Sequence, residues 1–319
     1  MNLFSPCHIN RTQWSALVAT SPVSNYFQTP ECYDFYSSLT FLEPFAVGVD
    51  ENGELKGVAC GYFIADGGKL KRYFSRRAII PGGLLLADDI TDDALRRLLE
   101  KLKNELSRKS IYIEIRNYQD YTAYKSGIES AGFSYVPHYD YLVDTTDGKA
   151  TFERFSKSKK RQINAAQRKG YRWSTTTDND EIEAFYRLLK HLYRTKVKRP
   201  LFPLEFFKRL AINPHGKILV VKKGETVVGG MACAIEPAKK VYEWYVCGDV
   251  MATYAGIDYA VQNGIPCFDF MGAGSPDKSY GVRDFKSKFG GKLLEYGRFL
   301  YICNHKLYRL GTWVVRYLY

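Results

Sequence analysis

Apolar and polar positions open with a strand, a turn and a second strand, then alternate between extended and helical periods. Phe45-Ala46-Val47-Gly48-Val49 and Gly57-Val58-Ala59-Cys60-Gly61-Tyr62-Phe63-Ile64 flank the acidic stretch Asp50-Glu51-Asn52-Gly53-Glu54, whose Asn-Gly step predicts a hairpin. Arg77-Ala78-Ile79-Ile80, broken by Pro81-Gly82-Gly83, predicts a third strand. Across Asp92–Arg108 the residues Leu95, Leu98, Leu99, Leu102 and Leu106 share one face and the charges take the other, which predicts an amphipathic helix. A buried strand at Ile111–Ile115, a helix at Tyr121–Ala131 stopped by Gly132, and a strand at Tyr139–Val143 follow.

The second half repeats this order. Helices are predicted at Phe152–Arg168, closed by Lys169-Gly170, at Asp180–Lys196, and at Pro203–Leu210. Strands Lys217–Lys222 and Val227–Ile235 flank the Gly224-Glu225 turn and mirror the first hairpin. Strand Lys240–Val246, helix Ala252–Gln262 and buried strand Pro266–Met271 complete the copy. The expected fold class is therefore α/β (α+β), two copies of one unit joined near Asp144–Ala150. His305–Tyr319 reads as a basic, aromatic helix.

A length of 319 residues accommodates two domains of about 150 each. Hydrophobic residues at 45% and charged residues at 25% give an ordinary globular balance and exclude a disordered chain. Lys plus Arg number 46 against 34 Asp plus Glu, a net charge of +12. That excess fits phosphate-rich partners: tRNA, nucleotide-linked substrates, CoA or an anionic membrane surface. The 25 tyrosines lift the aromatic share to 15%, a composition suited to clefts that stack ligands. Seven cysteines (Cys7, Cys32, Cys60, Cys233, Cys247, Cys267, Cys303) are odd in number and never spaced Cys-x-x-Cys, so a reduced cytosolic chain is expected. Met1-Asn2-Leu3-Phe4-Ser5-Pro6 lacks the pattern of a secretory signal, and no apolar run approaches the ~20 residues of a membrane span. The expectation is a soluble intracellular protein.

Two stretches carry candidate chemistry. On helix Phe152–Arg168, Phe152, Phe155, Ile163 and Ala166 lie on one face and Lys157, Lys160, Arg161, Asn164 and Arg168 on the other. Such a cationic ridge suits a phosphodiester backbone, and equally a solvated surface helix. The second stretch runs Asp269-Phe270-Met271-Gly272-Ala273-Gly274, then Tyr280-Gly281-Val282-Arg283-Asp284-Phe285-Lys286-Ser287-Lys288-Phe289-Gly290-Gly291. A buried strand here ends in a glycine-rich loop, where α/β sheets place ligands. Lys286 beside Phe285 could stabilise an acyl-transfer oxyanion; alternatively Phe285 and Phe289 fill core while Lys286 and Lys288 reach outward. Asp269 suits either catalysis or acceptance of loop N–H groups. Tyr245, Tyr280 and Arg283 are further candidates for substrate contact. No dinucleotide fingerprint, Walker loop or Gly-x-Ser-x-Gly elbow occurs, and the histidines (His8, His138, His191, His215, His305) lack metal-ligand spacing.

Ser156-Lys157-Ser158-Lys159-Lys160-Arg161-Gln162-Ile163-Asn164-Ala165-Ala166-Gln167-Arg168-Lys169-Gly170 and Phe268-Asp269-Phe270-Met271-Gly272 with Phe285-Lys286-x-x-Phe289-Gly290-Gly291 resemble the basic helix and C-terminal block of the FemABX peptidoglycan-bridge aminoacyltransferases and related GNAT-fold acyltransferases. Looser agreement extends through Phe27-Gln28-Thr29-Pro30, Pro81-Gly82, Glu114-Ile115-Arg116 and Ala131-Gly132-Phe133.

The resemblance implies two tandem GNAT-like domains with mixed central sheets flanked by helices. Residues 1–148 would form the first, completed by the C-terminal helix 303–319, and residues 149–302 the second. It implies transfer of an aminoacyl group from aminoacyl-tRNA, a co-substrate rather than a bound cofactor, to an amine of a nucleotide- or lipid-linked cell-envelope precursor. Phe285 and Lys286 would be catalytic, Lys286 holding charge on the ester carbonyl or departing ribose oxygen. Thr195 and Arg199 are the nearest match to the family's Thr-x-x-Arg-like phosphate-holding stretch, and Lys157, Lys160, Arg161 and Arg168 would meet tRNA phosphates. The expected location is cytoplasmic, with peripheral contact at the inner face of the membrane if the acceptor is lipid-linked.

Three departures bear on substrate. Tyr33-Asp34-Phe35-Tyr36-Ser37-Ser38 supplies no lysine where the family's first unit tends to carry one, and Arg168 to Lys217 leaves no room for a long paired-helix arm. The acyl-CoA motif Gln/Arg-x-x-Gly-x-Gly/Ala is also missing. The alternatives are an acyl-CoA-dependent N-acyltransferase for an envelope polysaccharide or peptide, and a non-catalytic binding module on the same fold.

Overall fold

The structure, a computed structural model, describes residues 3–4, 9–68, 72, 74–277 and 281–318. The first strands are β1 (Leu3–Phe4), β2 (Glu43–Glu51), β3 (Glu54–Ile64), β4 (Arg77–Gly82), β5 (Leu85–Leu86), β6 (Tyr112–Asn117) and β7 (Ser134–Val136). Then come β8 (Tyr139–Asp144), β9 (Tyr171–Thr176), β10 (Gly216–Lys223), β11 (Thr226–Glu236), β12 (Lys240–Cys247), β13 (Cys267–Asp269), β14 (Lys292–Glu295) and β15 (Arg298–Ile302). Among the described residues they make two mixed sheets flanked by helices. One runs β1-β2-β3-β4-β6-β15-β7, with β5 on β3, and the other β14-β8-β13-β12-β11-β10-β9.

The units are residues 1–137 with 296–319, and residues 138–295. The boundaries expected at 148/149 and 302/303 therefore shift. β8 pairs with β13 and β14 in the second sheet, and β15 pairs with β6 and β7 in the first. Tyr141 and Val143 bury in the second core and Phe299 in the first. Side-chain alternation marks a strand but does not name its sheet.

In the first unit, Asn52 (φ 53°) and Gly53 (φ 85°) supply the paired left-handed conformations that a tight hairpin between β2 and β3 needs. Helix Asp92–Leu106 starts where the Thr91 hydroxyl accepts the Ala94 N–H. It buries Leu95, Leu98, Leu99, Leu102 and Leu106 against Val47, Val49, Ile80, Ile113 and Ile115. Each buried leucine contributes roughly 1.5–3 kcal/mol of apolar stabilisation.

The second unit departs from its predicted elements at three points. The single helix expected over Phe152–Arg168 is two, Gly148–Arg154 and Lys157–Arg168. Phe155 is extended between them and buried against Phe289, ring centroids 5.2 Å apart, and the Ser156 hydroxyl caps the second helix by accepting the Lys159 N–H. Helix Asn179–Leu192 ends early and passes into a π-helical turn, Tyr193–Val197, closed by Lys198 in the left-handed region at φ 52°. The strand expected over Pro266–Met271 keeps its ladder only at Cys267–Asp269.

β12 and β13 run parallel, paired at Val241 with Phe268 and Tyr242 with Asp269. Beyond those pairs β12 continues to Cys247 while β13 has ended, so the backbone groups after Asp269 need other partners.

Candidate active site

Lys286 supplies those partners. It rises from the short helix Gly281–Ser287, is buried at 8% exposure, and donates to the carbonyls of Phe270 (2.8 Å) and Gly272 (2.9 Å). Its Nζ also lies 3.1 Å from Glu243 Oε1 on β12 and 5.0 Å from the Phe270 ring centroid. An ammonium has three N–H donors, and these three acceptors match them. The lysine thus bridges the two strands just past their last pair. It neither points outward nor presents a spare donor while Glu243 holds it.

Glu243 is fully surrounded. Burial pushes its carboxyl above the ordinary range, against the opposing pull of Lys286. Its second oxygen, Oε2, is buried and has no hydrogen-bond partner among the described residues. A buried carboxylate with one oxygen paired and one vacant is a proton acceptor held ready.

Below this pair stand two more carboxyls. Asp269 is fully buried, lies 3.2 Å from Lys240 Nζ, and accepts the Met271 N–H at 2.7 Å. Asp140 on β8 accepts the N–H groups of Tyr141 (2.7 Å) and Gly272 (2.8 Å). Burial, and then Asp269 beside it, pushes Asp140 well above the carboxylate range. Together they hold the loop in a strained shape, with Met271 at φ 53° and Gly272 at φ 125°. Asp269 therefore takes the loop-holding role, and Arg283 does likewise by donating to the carbonyls of Ala273 (2.9 Å) and Ser275.

Phe285 meets a different lysine from the one next to it in sequence. Lys159 Nζ stands 3.8 Å over its ring and 5.5 Å over Phe289. Lys159 is buried, and burial, then Lys288, lowers its pKa. The ridge residues Lys157, Arg161 and Arg168 on the same helix are exposed, while Lys160 is half-buried and donates to the Glu153 carbonyl at 2.9 Å.

Thr195 and Arg199 lie outside this cluster, exposed on and just after the π-helical turn. Tyr193 of that turn packs on Tyr245 of β12 with centroids 5.8 Å apart, and Phe207 packs on Tyr245 at 5.3 Å. Tyr280 lies outside the described residues. The structure thus gathers Lys286, Asp269 and Arg283 around one loop and adds Asp140, Lys240, Glu243 and Lys159, which sequence reasoning missed. Two signals could have found the last two. Lys159, Ile163 and Ala166 fall at i, i+4 and i+7, a buried helical row. Glu243 interrupts a strand otherwise read as core, where a carboxylate requires a partner.

The fold is that of FemX. The FemX crystal structure superposes with a TM-score of 0.70 at 17% identity, over 97% of this chain and 99% of that one. L-PGS from Bacillus licheniformis matches with a TM-score of 0.57 at 14% identity, over 96% of each chain. A tandem GNAT protein from the clavulanic acid biosynthesis pathway matches with a TM-score of 0.57 at 10% identity, over 95% of this chain and 98% of that one. No protein-family model and no curated protein matches the sequence. The FemX-like fold is therefore two tandem GNAT-like units, as the sequence resemblance implied. Among the described residues no helix is long and apolar enough to cross a membrane.

Proposed function

We propose that the protein is an N-acyltransferase that moves an aminoacyl group from aminoacyl-tRNA to an amine of a cell-envelope precursor, at the cytoplasmic face. The observation that carries this reading is the buried Lys286–Glu243 pair where β12 and β13 part, with Glu243 Oε2 vacant. The FemX-like fold over nearly the whole chain supports the reaction class, and the exposed cations of helix Lys157–Arg168 support a polyanionic donor.

In this mechanism the acceptor's neutral amine attacks the ester carbonyl carbon, forming a C–N bond and an oxyanion. Glu243 Oε2 takes the proton shed by the attacking nitrogen. Neutralised, Glu243 loosens its hold on Lys286, and the freed N–H turns to the oxyanion as its charge grows. Collapse breaks the C–O bond to the ribose, and the departing oxygen takes the proton back from Glu243, so the site returns to its starting state. Phe285 walls the site, Tyr245 and the Thr195–Arg199 turn hold the acceptor, and positioning of the two reactants supplies much of the acceleration.

The aminoacyl-tRNA donor is preferred to an acyl-CoA because the carbonyls past the last β12–β13 pair are already taken by Lys286. A thioester arm laid along them would have to displace a buried ammonium. Mass spectrometry of envelope precursors made with and without the protein tests the reading. One added amino-acid residue is expected; an added acetyl or fatty acyl mass would overturn the donor assignment, and no added mass would overturn the acyl transfer.

A further inference from the structure

The first unit holds a cavity of about 620 Å³ that the proposed reaction does not use. Four cations line it, Arg72, Arg76, Arg108 and Lys109, against the single carboxylate of Glu43. Glu43 is occupied by Lys109 Nζ at 2.9 Å and by Arg76. The Arg76 guanidinium also stands 4.9 Å over Phe63, and its Nε is buried with no hydrogen-bond partner among the described residues. Four cations around the cavity face one carboxylate already paired to two of them, and an anion would supply the missing counter-charge.

The cavity wall continues into the helix His305–Leu318. Leu307 lines the cavity, and Leu310 and Trp313 follow it at i+3 and i+6. Leu310 is 49% exposed and Trp313 57%. Lys306 and Arg309, both exposed, flank this row. A soluble phosphate ester would explain the cavity but not an apolar, aromatic helix row beside its mouth. A phospholipid explains both: phosphate against the arginines, acyl chains and glycerol along the helix, with tryptophan at the interface.

We infer that this cavity binds the phosphate of an anionic phospholipid and that helix His305–Leu318 lies in the same membrane surface. The site is separate from the proposed reaction and stands or falls without it.

The test is co-sedimentation of the full chain with vesicles of phosphatidylglycerol and phosphatidylcholine at 1:1, compared with phosphatidylcholine alone. Wild type pellets with the anionic vesicles only. Arg72→Ala with Arg108→Ala, at ~1 kcal/mol per cation near an anionic surface, weakens binding about 30-fold. Trp313→Ala weakens it as well. Removing two exposed cations elsewhere, Lys223→Ala with Lys239→Ala, leaves it unchanged. Circular dichroism melts confirm that each variant is folded. Wild type remaining in the supernatant, or both double variants losing binding equally, would overturn the proposal. Protection by glycerol 3-phosphate without vesicle binding would assign the cavity to a soluble ester and overturn it too.

Discussion

Lys159 Nζ lies 3.8 Å over the ring of Phe285, although the two residues are more than a hundred positions apart in sequence. The contact ties the capped start of the basic helix to the helix that carries Lys286, so one wall of the candidate site is built by a cation that the ridge pattern assigned no role. Lys159→Ala removes a cation–π contact worth ~0.5–2 kcal/mol. We expect a loss of about 1 kcal/mol in the urea midpoint analysis, with transfer slowed through a loosened Phe285.

Lys286→Ala leaves the carbonyls of Phe270 and Gly272 without their donor and Glu243 without its counter-charge. Breaking a buried pair from one side costs about 3–5 kcal/mol. The double variant Lys286→Ala with Glu243→Gln should recover part of that loss in the same denaturation experiment. Equal stability of the single and double variants would mean that the pair is not coupled.

The ridge prediction concerns salt. If Lys157, Arg161 and Arg168 each meet a tRNA phosphate, changing all three to Ala lowers the slope of log affinity against log salt by about 2–3. Filter binding across 50–300 mM salt reads it. An unaltered slope identifies a solvated face.

Acid stability separates the first unit from the second. Burial opposes ionisation of Glu114 on β6, but Arg116 and Arg298 outweigh it and hold its pKa at about 2. A carboxylate held below its unfolded value stabilises the fold above pH ~4.5, and the contribution fades as pH falls toward 2. Glu114→Gln should remove ~3 kcal/mol at pH 7 and flatten the acid limb of the melting curve. Asp140 has the opposite sign. Its raised pKa makes its contribution most favourable at acidic pH, and that contribution declines as pH rises. Asp140→Asn should flatten that decline, read as melting temperature from pH 4 to 9.

Local signals made much of this fold legible. Asn52-Gly53 announced the first hairpin, five leucines announced helix Asp92–Leu106, and the repeated order announced two units. What stayed hidden depends on long-range pairing: β8 and β15 read as strands or not at all, but their sheets are chosen by packing far along the chain. The candidate site divides the same way. Lys286, Asp269 and Arg283 cluster in sequence and were visible, whereas Asp140 and Glu243 reach them only through the β8–β13 and β12–β13 pairings.

In the proposed mechanism Glu243 takes the amine's proton while Lys286 meets the oxyanion. Single-turnover aminoacyl transfer by Glu243→Gln, measured from pH 5 to 9, addresses it most directly, because the amide keeps the shape and removes the basicity together with the counter-charge of Lys286. A loss of ~10²–10⁴ in rate, with the rising limb of the pH profile gone in the folded variant, is the predicted result. A rate within threefold of wild type and an unchanged profile would contradict it.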